Sequence, residues 1–85
     1  MAKVKMFTSA YCPYCSRARA LLDRHGVADL EEVFVDGNPQ LRAQMTQLTG
    51  RTSVPQIFIG ETHVGGCDDL HALDRQGGLV PMLQA

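Results

Sequence analysis

The chain has 85 residues, enough for one small domain (1–85) and too few for a second hydrophobic core. Eight basic against nine acidic residues leave a net charge of −1, which offers no basic field to nucleic acid and no polybasic patch to a membrane. No apolar run approaches membrane-spanning length and the start lacks a signal-peptide core, so the reducing cytosol is the expected compartment; three cysteines there are an odd count for a disulfide scaffold.

Lys3-Val4-Lys5-Met6-Phe7-Thr8 reads as a short strand, and an apolar-periodic run follows it from Pro13 to His25, with Gly26 as a left-handed stop. Pro13 suits a first helical position, which puts Cys12 at the cap of that helix. The orphan N–H groups and dipole of a helix start favour an anion, so Cys12 is expected to ionise more readily than a free thiol. Cys15, three residues on, shares its face inside the first turn and can attack a mixed disulfide formed at Cys12. Position therefore makes Cys12 the attacker and Cys15 the resolver.

Structural zinc uses the same Cys-x-x-Cys spacing, but with a second ligand pair, which here only Cys67, His63 and His71 could supply, at irregular spacing. The strand-then-helix setting favours redox chemistry and resembles the thioredoxin-like case. Arg17 and Arg19 lie on the same helix. Both read as solvated charges, although Arg17 stands near enough to the first turn to favour a thiolate.

Glu31-Glu32-Val33-Phe34-Val35-Asp36 predicts a second strand, parallel to the first and buried enough for three consecutive apolar residues. A strand, crossover helix and strand make a βαβ unit whose ligand site lies at the carboxyl ends of the strands, where Cys12 falls. Gly37-Asn38-Pro39 opens a second helix with Leu41, Met45 and Leu48 as its apolar stripe and Gly50 as its stop. After Val54-Pro55, Gln56-Ile57-Phe58-Ile59 reads as a strand, and Thr62-His63-Val64 as its antiparallel hairpin partner. Gly65-Gly66-Cys67-Asp68-Asp69 opens a third helix, with Leu70 and Leu73 on its buried side and Gly77-Gly78 at its end. The tail, Leu79 to Leu83, reads as a short apolar turn.

Gly65-Gly66 lets a backbone approach a ligand, and the N–H groups of Cys67 and Asp68 at a helix start suit a carboxylate. With the Asp68 side chain added for an ammonium group, the pair suits the α-amino acid end of a ligand, although Gly-Gly-x-Asp is also an ordinary turn and cap.

Cys12-Pro13-Tyr14-Cys15, Ser53-Val54-Pro55 and Gly65-Gly66-Cys67-Asp68-Asp69, in that order and spacing, resemble a glutaredoxin of the small dithiol class. The resemblance extends through Asp36-Gly37-Asn38, Gly50-Arg51-Thr52 and Gly77-Gly78-Leu79, and so covers nearly the whole chain. It implies an α/β, thioredoxin-like fold: a four-stranded mixed sheet, βαβαββα, with helices on both faces. It implies a glutathione-disulfide oxidoreductase in which Cys12 is the nucleophile, Cys15 resolves it, and the two form the redox disulfide. Glutathione, as co-substrate, would lie against Tyr14, Ser53, Val54, a cis Pro55, Gly66, Cys67 and Asp68. Val54 would pair with its cysteinyl part, and Gly66, Cys67 and Asp68 would hold its γ-glutamyl end. No bound cofactor or metal is implied. The implied partners are glutathione and glutathionylated or disulfide-containing proteins, ribonucleotide reductase among the candidates; the oligomeric state is open, with a monomer as the default expectation.

Two residues depart from the family pattern. Ser9 stands where many relatives carry a lysine that helps the thiolate and binds the glycyl carboxylate, which weakens the expected affinity or thiolate support. Ser53 replaces the usual threonine and keeps the hydroxyl. Cys15 and Pro13 argue against the Cys-Gly-Phe-Ser pattern of the cluster-carrying monothiol class. The rival with the same chemistry is a donor recharged by a reductase protein rather than by glutathione. Cys67 reads as a small packed side chain whose backbone matters, with regulatory mixed disulfides as the alternative.

Overall fold

A computed structural model describes residues 2–85. The elements run β1 (Val4–Thr8), α1 (Pro13–Arg24), β2 (Glu31–Phe34), α2 (Pro39–Thr49), β3 (Gln56–Ile59), β4 (Thr62–Gly65), α3 (Cys67–Arg75) and α4 (Leu79–Gln84). The sheet order is β2-β1-β3-β4, with β1 parallel to β2 and both other pairings antiparallel. A mixed sheet with a crossover helix between its two parallel strands matches the expectation from the sequence.

Strand periodicity divides the core in two. Val4 and Met6 of β1, with Ile57 and Ile59 of β3, point to the face covered by α1, α3 and α4, where Leu21, Leu22, Leu70 and Leu79 meet them. Phe7 points the other way and packs with Val35 and Met45 beneath α2, its ring edge-on to Phe58 at 6.3 Å between centroids. The helices therefore lie on both faces.

Three details differ from the sequence reading. The second strand ends at Phe34 rather than Asp36 and lies at the sheet edge, so its apolar run alternates: Phe34 is exposed and Val35 is buried. Leu48 lies outside the α2 cluster and is exposed, whereas Met45 is fully buried. The tail is a helix, α4, rather than a turn, which extends the order to βαβαββαα. Leu79 and Leu83 stand one turn apart on its buried side, and Pro81 falls in the first turn, where its missing N–H leaves no helical bond unmade.

Helix ends follow their local chemistry. Asn38 caps α2 by accepting the Leu41 N–H at 3.1 Å, Pro39 starts the helix, and Gly50 ends it at φ 73°, a left-handed conformation that a Cβ disfavours.

Candidate active site

Cys12 is the cap residue of α1, in extended conformation, and its sulfur accepts the Cys15 N–H at 3.1 Å. The same sulfur lies 3.8 Å from the Val54 carbonyl, which its thiol proton faces. Cys15 is buried at 1 % exposure while Cys12 is partly open, and all three cysteines are free. The outer sulfur can meet a substrate, and the inner one can be reached only through it. Burial pushes the Cys15 thiol up from its ordinary value, and its hydrogen bond with Cys12 adds to this.

The loop that carries Cys12 is tied to the end of β2. Asp36 accepts the Ser9 hydroxyl at 2.5 Å and the Ala10 N–H at 2.8 Å. Ser9, the departure noted in the sequence, is thus committed to holding the loop. These bonds keep the Asp36 carboxyl below the ordinary aspartate range. Because the folded-state value is depressed, this contribution to stability is present above the ordinary range and is lost as pH falls through the depressed value. Replacing Asp36 by asparagine is therefore expected to flatten the acid side of the stability curve, as measured by urea unfolding at neutral and acid pH. An unchanged acid slope would refute the clamp.

The second constellation faces Cys12 across the Val54–Pro55 bond, which is cis. A groove of about 290 Å³ is lined by Tyr14, Ser53, Val54, Pro55, Gly66, Cys67 and Asp68, the seven residues expected to bind a ligand, and also by Arg51, Gln56 and Asp69. Cys67 and Asp68 are the first two residues of α3, so their N–H groups have no intrahelical acceptor. Tyr14 is half exposed, with the Arg17 guanidinium 6.0 Å from its ring centroid, and Arg17 is itself exposed, as expected of a solvated charge.

Sequence reasoning missed the three added residues. Asp69 accepts the Gly66 N–H at 2.9 Å and pairs with Arg51 at 2.8 Å, and these bonds hold its carboxyl below the ordinary range. A side chain on Gly65, at φ 124°, would overlap that carboxylate, so the glycine serves the cap as well as the groove. The signal was an acidic residue three positions after the cap. Gln56 is buried, donates to the Ser53 carbonyl at 2.9 Å, and offers its oxygen to His63 Nε2 at 2.8 Å, an arrangement that puts the proton on that nitrogen. Burial lowers the His63 pKa. His71 Nδ1 lies 2.9 Å from the Cys67 carbonyl and 3.5 Å from its sulfur. Among the described residues, no three side chains of the metal-binding types converge.

Comparison with known proteins gives one answer. A family profile described as Glutaredoxin matches residues 4–64. The chain is 58 % identical over 85 residues to a glutaredoxin of Pseudomonas aeruginosa, with all of both chains covered. It is 54 % identical over 84 residues to glutaredoxin 3 of Escherichia coli K12, covering 99 % of this chain and 100 % of that one. Among solved structures, a buckwheat glutaredoxin–glutathione complex superposes with a TM-score of 0.88 at 38 % identity, over 98 % of this chain and 77 % of that one. The thioredoxin-like fold is thus shared with solved glutaredoxins, and the chain belongs to the glutaredoxin family of thiol–disulfide oxidoreductases.

Proposed function

We propose that this protein reduces glutathione mixed disulfides and protein disulfides with glutathione as the electron donor. The observation that carries this reading is the groove lined by Val54 and, at the N-terminus of α3, by Gly66, Cys67 and Asp68, with the Cys12 sulfur 3.8 Å from the Val54 carbonyl. Val54 thus stands between a reactive sulfur and a site for an amino-acid end. The Cys12 thiolate attacks the glutathione sulfur of a mixed disulfide, a Cys12–glutathione bond forms, and the substrate thiolate leaves. A second glutathione thiolate attacks the sulfur of the bound glutathione, which frees Cys12 and yields oxidised glutathione. With a protein disulfide, Cys12 attacks first and Cys15 displaces the second substrate thiolate, leaving the Cys12–Cys15 disulfide for two glutathiones to reduce. Ribonucleotide reductase is a candidate protein substrate on family resemblance, and the setting proposed is a cytoplasmic monomer.

The test is turnover of a small glutathione mixed disulfide, with glutathione and glutathione reductase supplying electrons. Asp68→Ala is expected to raise the KM for glutathione about tenfold with kcat within about twofold, the size of one partly exposed charge-assisted hydrogen bond. Wild type that is inactive with glutathione but accepts electrons from a thioredoxin reductase would replace this reading with the reductase-linked donor.

A further inference from the structure

The Ser53–Val54 segment is fastened from behind by two side chains that the steps above do not use. Gln56 is the first residue of β3, paired with Phe7 of β1, and it is buried. Phe58, two residues on, shares its face of the strand, and His63 of β4 stands opposite Phe58 with the ring centroids 5.0 Å apart. That register carries the His63 ring to the Gln56 amide. His63 Nε2 lies 2.8 Å from Gln56 Oε1, and Gln56 Nε2 reaches the Ser53 carbonyl at 2.9 Å.

Donor and acceptor counting fixes each direction in this relay. A carbonyl only accepts, so the Gln56 atom facing Ser53 is the nitrogen, and the amide oxygen is left for a proton on His63 Nε2. The neutral ring is enough to supply that proton, and burial, with Arg51 nearby, favours the neutral form against the opposing pull of Asp69.

The relay holds a peptide plane. The Ser53–Val54 bond is trans, and the C=O and N–H of a trans unit point in opposite directions. With the Ser53 oxygen drawn to Gln56, the Val54 N–H is turned away from it, and among the described residues that N–H meets no acceptor. Val54 also precedes a proline, which favours extended backbone, where the N–H and C=O of one residue share a side. The Val54 carbonyl faces the Cys12 sulfur at 3.8 Å, so the N–H is presented on the same side of the groove.

We propose that Gln56 and His63 are positioning residues for glutathione, His63 fixing the Gln56 amide and Gln56 turning the Ser53–Val54 peptide so that the Val54 N–H meets a carbonyl of the bound tripeptide. The inference rests on the glutathione reading above and adds the residues that hold its binding edge in place.

The test joins the glutathione turnover assay to a titration with S-methylglutathione, which cannot form a disulfide, followed by NMR at the Val54 amide proton. In wild type that proton is expected to move downfield as it gains an acceptor. Gln56→Met, which nearly keeps the volume and removes both hydrogen bonds, is expected to raise the KM for glutathione about tenfold with a smaller change in kcat, and to shrink the Val54 shift. His63→Phe keeps a ring beside Phe58 but cannot donate, and is expected to raise the KM severalfold. His63→Gln, which offers an N–H near the place of Nε2, is expected to restore it. A merely structural pair would lower the urea midpoint and leave KM and the Val54 shift where they were; that result in both Gln56→Met and His63→Phe would overturn the proposal. Equal impairment in His63→Phe and His63→Gln would overturn it too, because the donor would then not matter. If Gln56→Met fails to fold, the two His63 variants decide by the same readouts. Wild type that binds S-methylglutathione no better than Gln56→Met and His63→Phe sinks this inference alone, whereas wild type that neither turns over with glutathione nor binds the probe removes the glutathione reading and this inference with it.

Discussion

Cys12→Ser is expected to abolish turnover of a glutathione mixed disulfide, by at least about a thousandfold, because the nucleophile of a covalent mechanism has no substitute. The partly open sulfur at the α1 cap is the only one of the pair that a substrate can reach first, since Cys15 is buried behind it. Cys15→Ser separates the two halves of the chemistry. It should retain glutathione mixed-disulfide turnover to within severalfold, while reduction of a protein disulfide stalls at the mixed-disulfide stage. The measurement is steady-state turnover of both substrate types for wild type and each variant. A Cys12→Ser protein that still turns over would remove the assignment of attacker and resolver altogether. Loss of mixed-disulfide turnover in Cys15→Ser would instead show that the second thiol is needed for both routes.

Phe7→Ala is expected to cost about 3–5 kcal/mol of stability, the largest effect on folding among the substitutions considered. Phe7 is fully buried at the centre of the smaller core cluster, between Val35 and Met45, and its ring also meets Phe58 edge-on. A cluster with three fully buried members cannot close around a void of that size, and the edge-to-face contact is lost as well. A domain of this length has about 4–13 kcal/mol in total, so a loss of that size takes a large share of it. Urea unfolding followed by circular dichroism measures the change as a lowered midpoint. A change below about 1 kcal/mol would mean that α2 and the sheet collapse onto one another without that ring.

The element order was legible because each element carries local signals that agree with its place in the fold. Pro13 after Cys12, Asn38-Pro39 before Leu41, and Gly26 and Gly50 at helix ends are all properties of adjacent residues. Where the sequence reading went astray, burial was decided by neighbours far along the chain. Phe34 reads as core, yet the sheet order leaves β2 at an edge. Leu48 continues the α2 stripe but lies outside the cluster that receives Met45. The tail is too short and too rich in proline to announce a helix, and α4 forms because Leu79 and Leu83 find the core beside α3.

The placement of the two cysteines was determined by the sequence itself, because one thiol at a cap and another a turn later is a local geometry that Pro13 favours. The glycine-rich helix start was legible in the same local way as a site for an amino-acid end, whereas Tyr14, Ser53, Val54 and Pro55 entered only through the family resemblance. Only the tertiary structure decided how these pieces become one site. It brings the Val54 carbonyl to the Cys12 sulfur, Asp36 to the loop that holds Cys12, and Arg51 to the Asp69 carboxylate. Each of these partners is separated in sequence from the group it serves. No periodicity or short motif encodes such a meeting; it follows from the order of strands in the sheet and from which face each helix covers.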